Sequence, residues 1–380
     1  MSPGLLAERV RRDVEVVALA GLELPTFLSE IEQSISRVLR PVATCIATID
    51  PTTSLLTSTY KFGDLYGRDQ HDLEWGLIEY GGAETTSFLD VAATPGKALG
   101  MHIVTGGDLA RSPRMGDFIA PRYGYGDELR LIASVDGRMW GALAFFRGPD
   151  DHPFDEADVE FASSLSNVLA NGFRSGLLSR VAAQPLGHVD HGPAVIIVDA
   201  GDTISQISVG AEARLRQVML SDHCSDPIGT IAALVAGARR FARGDASTIP
   251  RGRLRMHDGS WVVLQASPMA ARNGVTGDVV ITIEDARPPE IIPLVVEAFG
   301  LTARERDVTQ LVLQGAETKE IAAALHLSPY TVQDHLKAIF SKADVRSRRE
   351  LMGRIFFDQY QPRYGQDVGH DGWYATTSIA

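Results

Sequence analysis

Apolar residues recur at helical spacing from the start of the chain. Leu24–Leu39 carries Phe27, Leu28, Ile31, Ile35, Val38 and Leu39 along one stripe, which predicts an amphipathic helix. Residues 1–20 read as a helical lead-in to it. Val42–Asp50 is apolar and β-branched and predicts a buried strand. From about 60 to 127, glycines and aromatics interrupt every period, and no element is assigned. Leu129–Val135 and Met139–Phe146 read as strands joined at Asp136-Gly137, a favoured two-residue hairpin turn. Asp155–Val181 reads as one long helix with Phe161, Leu165, Val168, Leu169 and Leu177 near one face. Helix, strand, hairpin and closing helix together predict an α+β domain over 21–182.

A second pattern runs over 187–287. Val195–Asp199 and Thr203–Ser208 read as short strands around Gly201-Asp202, followed by helical stretches over Ala211–Met219 and Ile231–Ala242. Arg253–Met256, Trp261–Ala266 and Val279–Glu284 supply further strands, and Pro288-Pro289 closes the module. The two modules share hairpin logic without sequence similarity, so no repeat is assigned. Residues 288–299 read as a linker, with Ile291–Phe299 as its coupling segment, and 361–380 as a disordered polar tail.

The last helical stretch, 300–360, has the most legible boundaries. Thr302 and Glu305 form a capping box in front of Val308, Leu311 and Val312. Thr318 is placed to cap a second helix whose inner face is Ile321, Ala322 and Leu325. His326-Leu327-Ser328 makes a three-residue turn, and Pro329 follows at the first helical position, where a missing N–H costs nothing. The third helix turns Val332, Leu336, Ile339 and Phe340 inward. Ser347 and Glu350 predict another capping box before Leu351, Ile355 and Phe356. Short capped helices around one tight turn make a helix-turn-helix.

That arrangement leaves Tyr330, Gln333, Asp334 and Lys337 on the outer face of the third helix. Gln pairs with adenine, Lys donates to guanine and Asp accepts from cytosine, so Gln333, Asp334 and Lys337 are the candidate base readers. Lys319, Ser328, Thr331, Lys342, Arg346 and Arg348 are the candidate phosphate contacts. A four-helix bundle with a solvated charged face is the plainer reading of the same spacing.

Charge complicates the picture. The 380-residue chain has a formal net charge of −12, whereas DNA-binding domains are usually basic. Residues 301–380 hold equal numbers of cations and anions, so the whole deficit lies upstream. Three of the lysines, Lys319, Lys337 and Lys342, fall inside the helix-turn-helix. Local cations govern polyanion affinity, and a modest binder acting as a homodimer is expected. No apolar run is long enough to span a membrane, and the start lacks a signal peptide's pattern, so a cytoplasmic protein is expected.

Other chemistry finds little support. Cys45 and Cys224 are too few for a disulfide framework or a cysteine-based zinc site, and Cys45 reads as a core residue. His188 and His191 lack a third ligand. Gly124-Tyr-Gly126 fails as a dinucleotide fingerprint because Leu129 stands where the third glycine belongs. Asp150-Asp151 and Glu284-Asp285 sit at element ends, where solvated carboxylates are common. No nucleophile elbow, phosphate loop or zinc-protease motif occurs, so neither an enzyme nor a cofactor or metal is expected.

The spaced residues Leu301, Thr302, Glu305, Gly315, Lys319, Ile321, Ala322, Leu325, Thr331, Val332, Leu336, Ile339, Val345, Ser347 and Leu351 resemble the LuxR/NarL-type DNA-binding domain. The resemblance implies double-stranded DNA as partner, base reading from the positions of Gln333, Asp334 and Lys337, and homodimers paired through the fourth helix. Gln333 stands where Lys is commoner. Upstream, Gly126–Arg130, Trp140–Leu143, the Asp199 hairpin and Asp258–Trp261 resemble GAF-like and PAS-like sensory domains, which implies a small-molecule ligand or a dimerisation role. The predicted fold is therefore multidomain, two α+β sensory domains followed by an all-α helix-turn-helix. The expected function is a one-component transcription regulator reaching RNA polymerase indirectly. The alternatives are a σ-factor-like polymerase-associated protein and a sensory scaffold whose DNA head is degenerate.

Overall fold

The computed structural model describes residues 3–82, 84–179, 194–208, 211–218, 228–256, 260–271 and 274–357. The first element is helical and packs on the rest of its module. Helix α1 (Pro3–Leu19) packs on α2 (Leu24–Leu39) and on the long α7 (Glu156–Leu178), with Val10 and Val14 fully buried. Helix α7, with α1 and α2 packed against it, lies on one face of a five-stranded antiparallel sheet. Its strands are β1 (Ala43–Ile49), β2 (Leu56–Gly63), β3 (Ala98–Gly100), β4 (Asp127–Val135) and β5 (Arg138–Arg147), in the order β2-β1-β5-β4-β3. Glycine makes the close approach possible: a Cβ on Gly141 would lie 2.3 Å from the Phe173 ring, and one on Gly172 2.2 Å from that of Phe27. Asp136 and Gly137 both have positive φ, as the β4–β5 hairpin requires.

The stretch without a legible period carries short elements over the other face. These are α3 (Asp72–Gly81), α4 (Phe88–Ala93), α5 (Met101–Thr105) and α6 (Ala120–Tyr123), with a 3-10 turn at Leu109–Arg111 and a π-helical turn at Arg114–Ile119. They enclose an aromatic cluster in which Trp75, Phe118, Tyr123 and Phe146 meet at 5.5–6.0 Å between ring centres.

The second sheet repeats the strand order of the first. Its strands β6 (Ala194–Val198), β7 (Ile204–Ile207), β8 (Arg251–Arg255), β9 (Trp261–Ala271) and β10 (Gly274–Asp285) run β7-β6-β10-β9-β8. Two helices accompany it, α8 (Ala211–Val218) and α9 (Ile228–Arg243). Every residue from Gly229 to Ala236 is buried, because α9 has protein on both sides. Below lies the second sheet, and above lie α3 and β2 of the first module. Leu55 and Tyr80 of the first module share one core with Ile196, Leu234, Leu264 and Ile281 of the second. The C-terminal end of α9 is pinned by Arg239, which donates to the carbonyls of Asp199 (2.7 Å) and Gly277 (3.2 Å) and pairs with Asp202.

The residues from Ala286 onward lie in a separate compact unit. Pro288-Pro289 opens a helix of this unit: α10 (Pro288–Ala298) starts with both prolines in its first turn, where their missing N–H groups have no intrahelical role. Then follow α11 (Ala303–Leu313), α12 (Thr318–Ala324), α13 (Pro329–Lys342) and α14 (Arg348–Met352), the last running into a π-helical turn at Gly353–Phe357 against which α10 packs. The predicted tail, Cys224, and the His188 and His191 pair lie outside the described residues. No described helix is long and apolar enough to cross a membrane.

Candidate functional site

The helix-turn-helix is built from its caps. Thr302 accepts from the Glu305 amide while Glu305 accepts from the Thr302 amide at 2.7 Å, as the sequence predicts. The cap of α12 is Glu317, not Thr318. Glu317 and Glu320 form the reciprocal box, and Thr318 is already inside the helix, where its hydroxyl accepts from Arg348 at 3.0 Å. At α14, Ser347 caps Glu350, but the returning carboxylate takes the Arg346 amide, at 2.8 Å. Ser328 caps α13 through the Thr331 amide at 3.0 Å. The turn needs one left-handed residue, and His326 supplies it with φ 54°.

Beneath the caps lies an apolar interior. Ile321, Ala322, Val332, Leu336 and Ile339 are buried and Leu325 is half-buried. They hold α13, about 21 Å long, with its other face outward. Tyr330 is 72% exposed, and Gln333, Asp334 and Lys337 are all exposed beside it. Lys337 Nζ lies 3.3 Å from Asp334 Oδ1, so the one cation among the three candidate readers already has an anionic neighbour.

The candidate phosphate contacts divide into two groups. Lys319, Ser328 and Arg346 are exposed, and Thr331 is half-buried with its hydroxyl 2.8 Å from that of Ser328. Lys342 and Arg348 are held within the domain. Lys342 donates to Glu305 at 2.6 Å and so completes the first capping box; Arg348 donates to the Ala316 carbonyl at 2.7 Å and to Thr318. Burial pushes the Glu305 carboxyl up, but hydrogen bonds from Lys342 and Thr302 outweigh it and hold the group below its ordinary range.

Residues 300–354 match the profile of the bacterial regulatory proteins of the luxR family (GerE). This segment is a LuxR-family helix-turn-helix. Curated relatives agree over the same stretch. The monoamine regulon transcriptional regulator of Klebsiella aerogenes is 43% identical over 61 residues, which is 16% of this chain and 27% of that protein. The transcriptional regulatory protein DesR of Bacillus subtilis is 40% identical over 67 residues, 17% and 34% of the two chains. UhpA of Escherichia coli is 46% identical over 56 residues, 15% and 29%. The chain thus spans only about a quarter to a third of these relatives. Among solved structures, a VqmA dimer of Vibrio cholerae aligns over 43% of this chain and 82% of its own, at 17% identity and a TM-score of 0.22. That score is too low for the likeness to support any argument about the upstream modules.

A second constellation lies in the first module, in the stretch where the sequence shows no period. A cavity of about 50 Å³ sits between α3 and the sheet. Its floor is a single cross-strand row, Lys61–Cys45–Ala144–Arg130, set by the registers of β2, β1, β5 and β4. Its roof is Asp72, Trp75, Gly76, Glu79 and Tyr80, which share one face of α3. The two acids of the roof meet the two cations of the floor: Lys61 to Asp72 at 2.5 Å and Arg130 to Glu79 at 2.7 Å, all four buried. The helical spacing of 72, 75, 76, 79 and 80 was the available signal. A ten-residue helix among glycines hid it.

Proposed function

We propose that this protein is a DNA-binding transcription regulator in which two upstream α+β modules, of GAF-like and PAS-like kind, take an input that controls a LuxR-type head. The exposed Gln333, Asp334 and Lys337 on a helix whose opposite face is fully packed support this reading most directly. These three read base edges, Lys319 and Arg346 hold phosphates, and Ser328 and Thr331 present the N-terminus of α13 to the backbone. Lys342 and Arg348 act first by fixing the domain. The active species is a homodimer in the cytoplasm, the DNA is double-stranded, and polymerase is reached through the promoter.

Selection of bound duplexes from a random pool by the full chain tests the proposal. Enrichment of an inverted repeat supports it. No enrichment over bulk sequence, with Lys319→Ala and Lys337→Ala indistinguishable from the parent, overturns it. The Lys337–Asp334 pair favours one other reading, a sensory scaffold whose head has lost its DNA affinity. Under that reading Asp334→Ala restores binding that the parent lacks.

A further inference from the structure

We infer that the cavity under α3 is a binding site for a small neutral molecule that carries a hydrogen-bond acceptor beside a donor, such as a simple amide or hydroxyketone. This rests on the sensory reading above and names the chemistry of its input. Arg130 is buried, with its guanidinium 3.7 Å over the Phe88 ring and one nitrogen on Glu79. Among the described residues, its Nε and Nη1 have no hydrogen-bond partner, nor does Oε1 of the equally buried Glu128. Arg130 Nη1 and Glu128 Oε1 lie 3.6 Å apart, too far for a direct hydrogen bond. Leaving such groups unsatisfied inside a protein is costly. Both residues line the cavity, so a molecule there can accept from Arg130 and donate to Glu128.

Charge selects the class. Lys61, Arg114 and Arg130 are already matched one to one by Asp72, Glu128 and Glu79. An anion would lie against Glu79 and Glu128, and a cation against Arg130, so either adds an unpaired charge to a buried site. The remainder of the lining, which includes Ala47, Trp75, Phe88 and Ala144, offers apolar contact. A single water needs roughly 10–15 Å³, so about 50 Å³ admits a molecule of only a handful of non-hydrogen atoms.

The location suggests how occupancy is felt. Gly229 of α9 lies in the wall, although α9 belongs to the second module. A Cβ on Gly76 in the roof would stand 2.5 Å from that of Ala232. A ligand that lifts α3 therefore presses on α9, and through it on the second sheet.

The test uses the full chain without DNA, so that failure of DNA binding and failure of ligand binding are seen separately. Calorimetric titration and thermal melting with propionamide, 2-pyrrolidinone and acetoin should show saturable binding. Propionate and ethylammonium should bind at least tenfold more weakly. Ala144→Leu and the milder Ala144→Val fill the floor and should each weaken the neutral probes by tenfold or more. Propionate or ethylammonium binding as tightly as propionamide overturns the inference, as does unchanged affinity in a folded Ala144 variant. So does absence of binding by every neutral probe, with Ala144→Val melting higher than the parent, which would mark the cavity as loose packing. Should both variants fail to fold, the ranking of probes on the parent decides.

Discussion

Arg253 closes on Asp50 as a two-pronged ion pair, Nε to Oδ2 at 2.7 Å and Nη2 to Oδ1 at 2.6 Å, joining β8 of the second sheet to the end of β1 in the first. Both side chains are largely buried. With the shared α9 core, this pair makes the two sheets one mechanical body. A displacement under the first sheet therefore has a packed route to the second.

Breaking that pair should be expensive. Asp50→Asn removes the charge that two Arg253 nitrogens share in a buried pair and should cost about 3–5 kcal/mol, read by chemical denaturation. Asp50→Asn with Arg253→Met should recover part of the loss. Losses in the two single variants that simply add in the double variant would mean that the two residues are not coupled.

Gly76→Ala sets two effects against each other. Helix propensity favours alanine by up to about 1 kcal/mol, but the new methyl would meet Ala232 at 2.5 Å and the Gly229 carbonyl at 3.1 Å. Overpacking of about 1–3 kcal/mol should win. Ala232→Gly in the same chain should relieve most of it. A Gly76→Ala chain more stable than the parent would show that α3 and α9 yield easily.

At the DNA face, Lys337→Ala should weaken binding to a selected site by about 1–3 kcal/mol and relax preference at one base pair. Lys319→Ala should weaken binding to every sequence and flatten its salt dependence. Lys342→Met should instead lower the melting temperature of the domain, by an amount equivalent to about 1 kcal/mol, because Lys342 is itself exposed although Glu305 is buried, with the salt dependence kept.

Acid should loosen both units. Glu305 and Glu84 have their carboxyls held below the ordinary glutamate value of 4.5; in each, burial is outweighed by hydrogen bonds, to Glu84 from Thr86, Ser112 and the Arg114 amide. A lowered folded value contributes stability above the unfolded one, and that contribution is lost as pH falls through the folded value. Melting temperature should therefore drop below about pH 4.5, and less steeply in Glu305→Gln than in the parent. Parallel slopes would deny Glu305 a share.

Cys45 should be inert in the folded protein. Burial pushes its thiol up to about 12, and the thiolate is the reactive form. Iodoacetate at pH 8 should label it only after unfolding. Rapid labelling of the native chain would contradict this.

Much of this protein was legible in one dimension. The stripe from Phe27 to Leu39, the Asp136-Gly137 hairpin, the Thr302–Glu305 box and the Ser328-Pro329 start of α13 follow from local rules, because caps, turns and amphipathic periods act within a few residues. The outward placement of Gln333, Asp334 and Lys337 followed from the inward placement of Val332, Leu336 and Ile339 one register away. What local rules could not supply was pairing over distance. The row Lys61–Cys45–Ala144–Arg130 is drawn from four strands and exists only once their registers are set. The Arg253–Asp50 contact spans 203 residues, and α9 reads as an ordinary amphipathic helix until two sheets are seen to claim its two sides. Lys342 and Arg348 likewise look like free cations in the sequence, and only packing brings Glu305 and the Ala316 carbonyl within their reach.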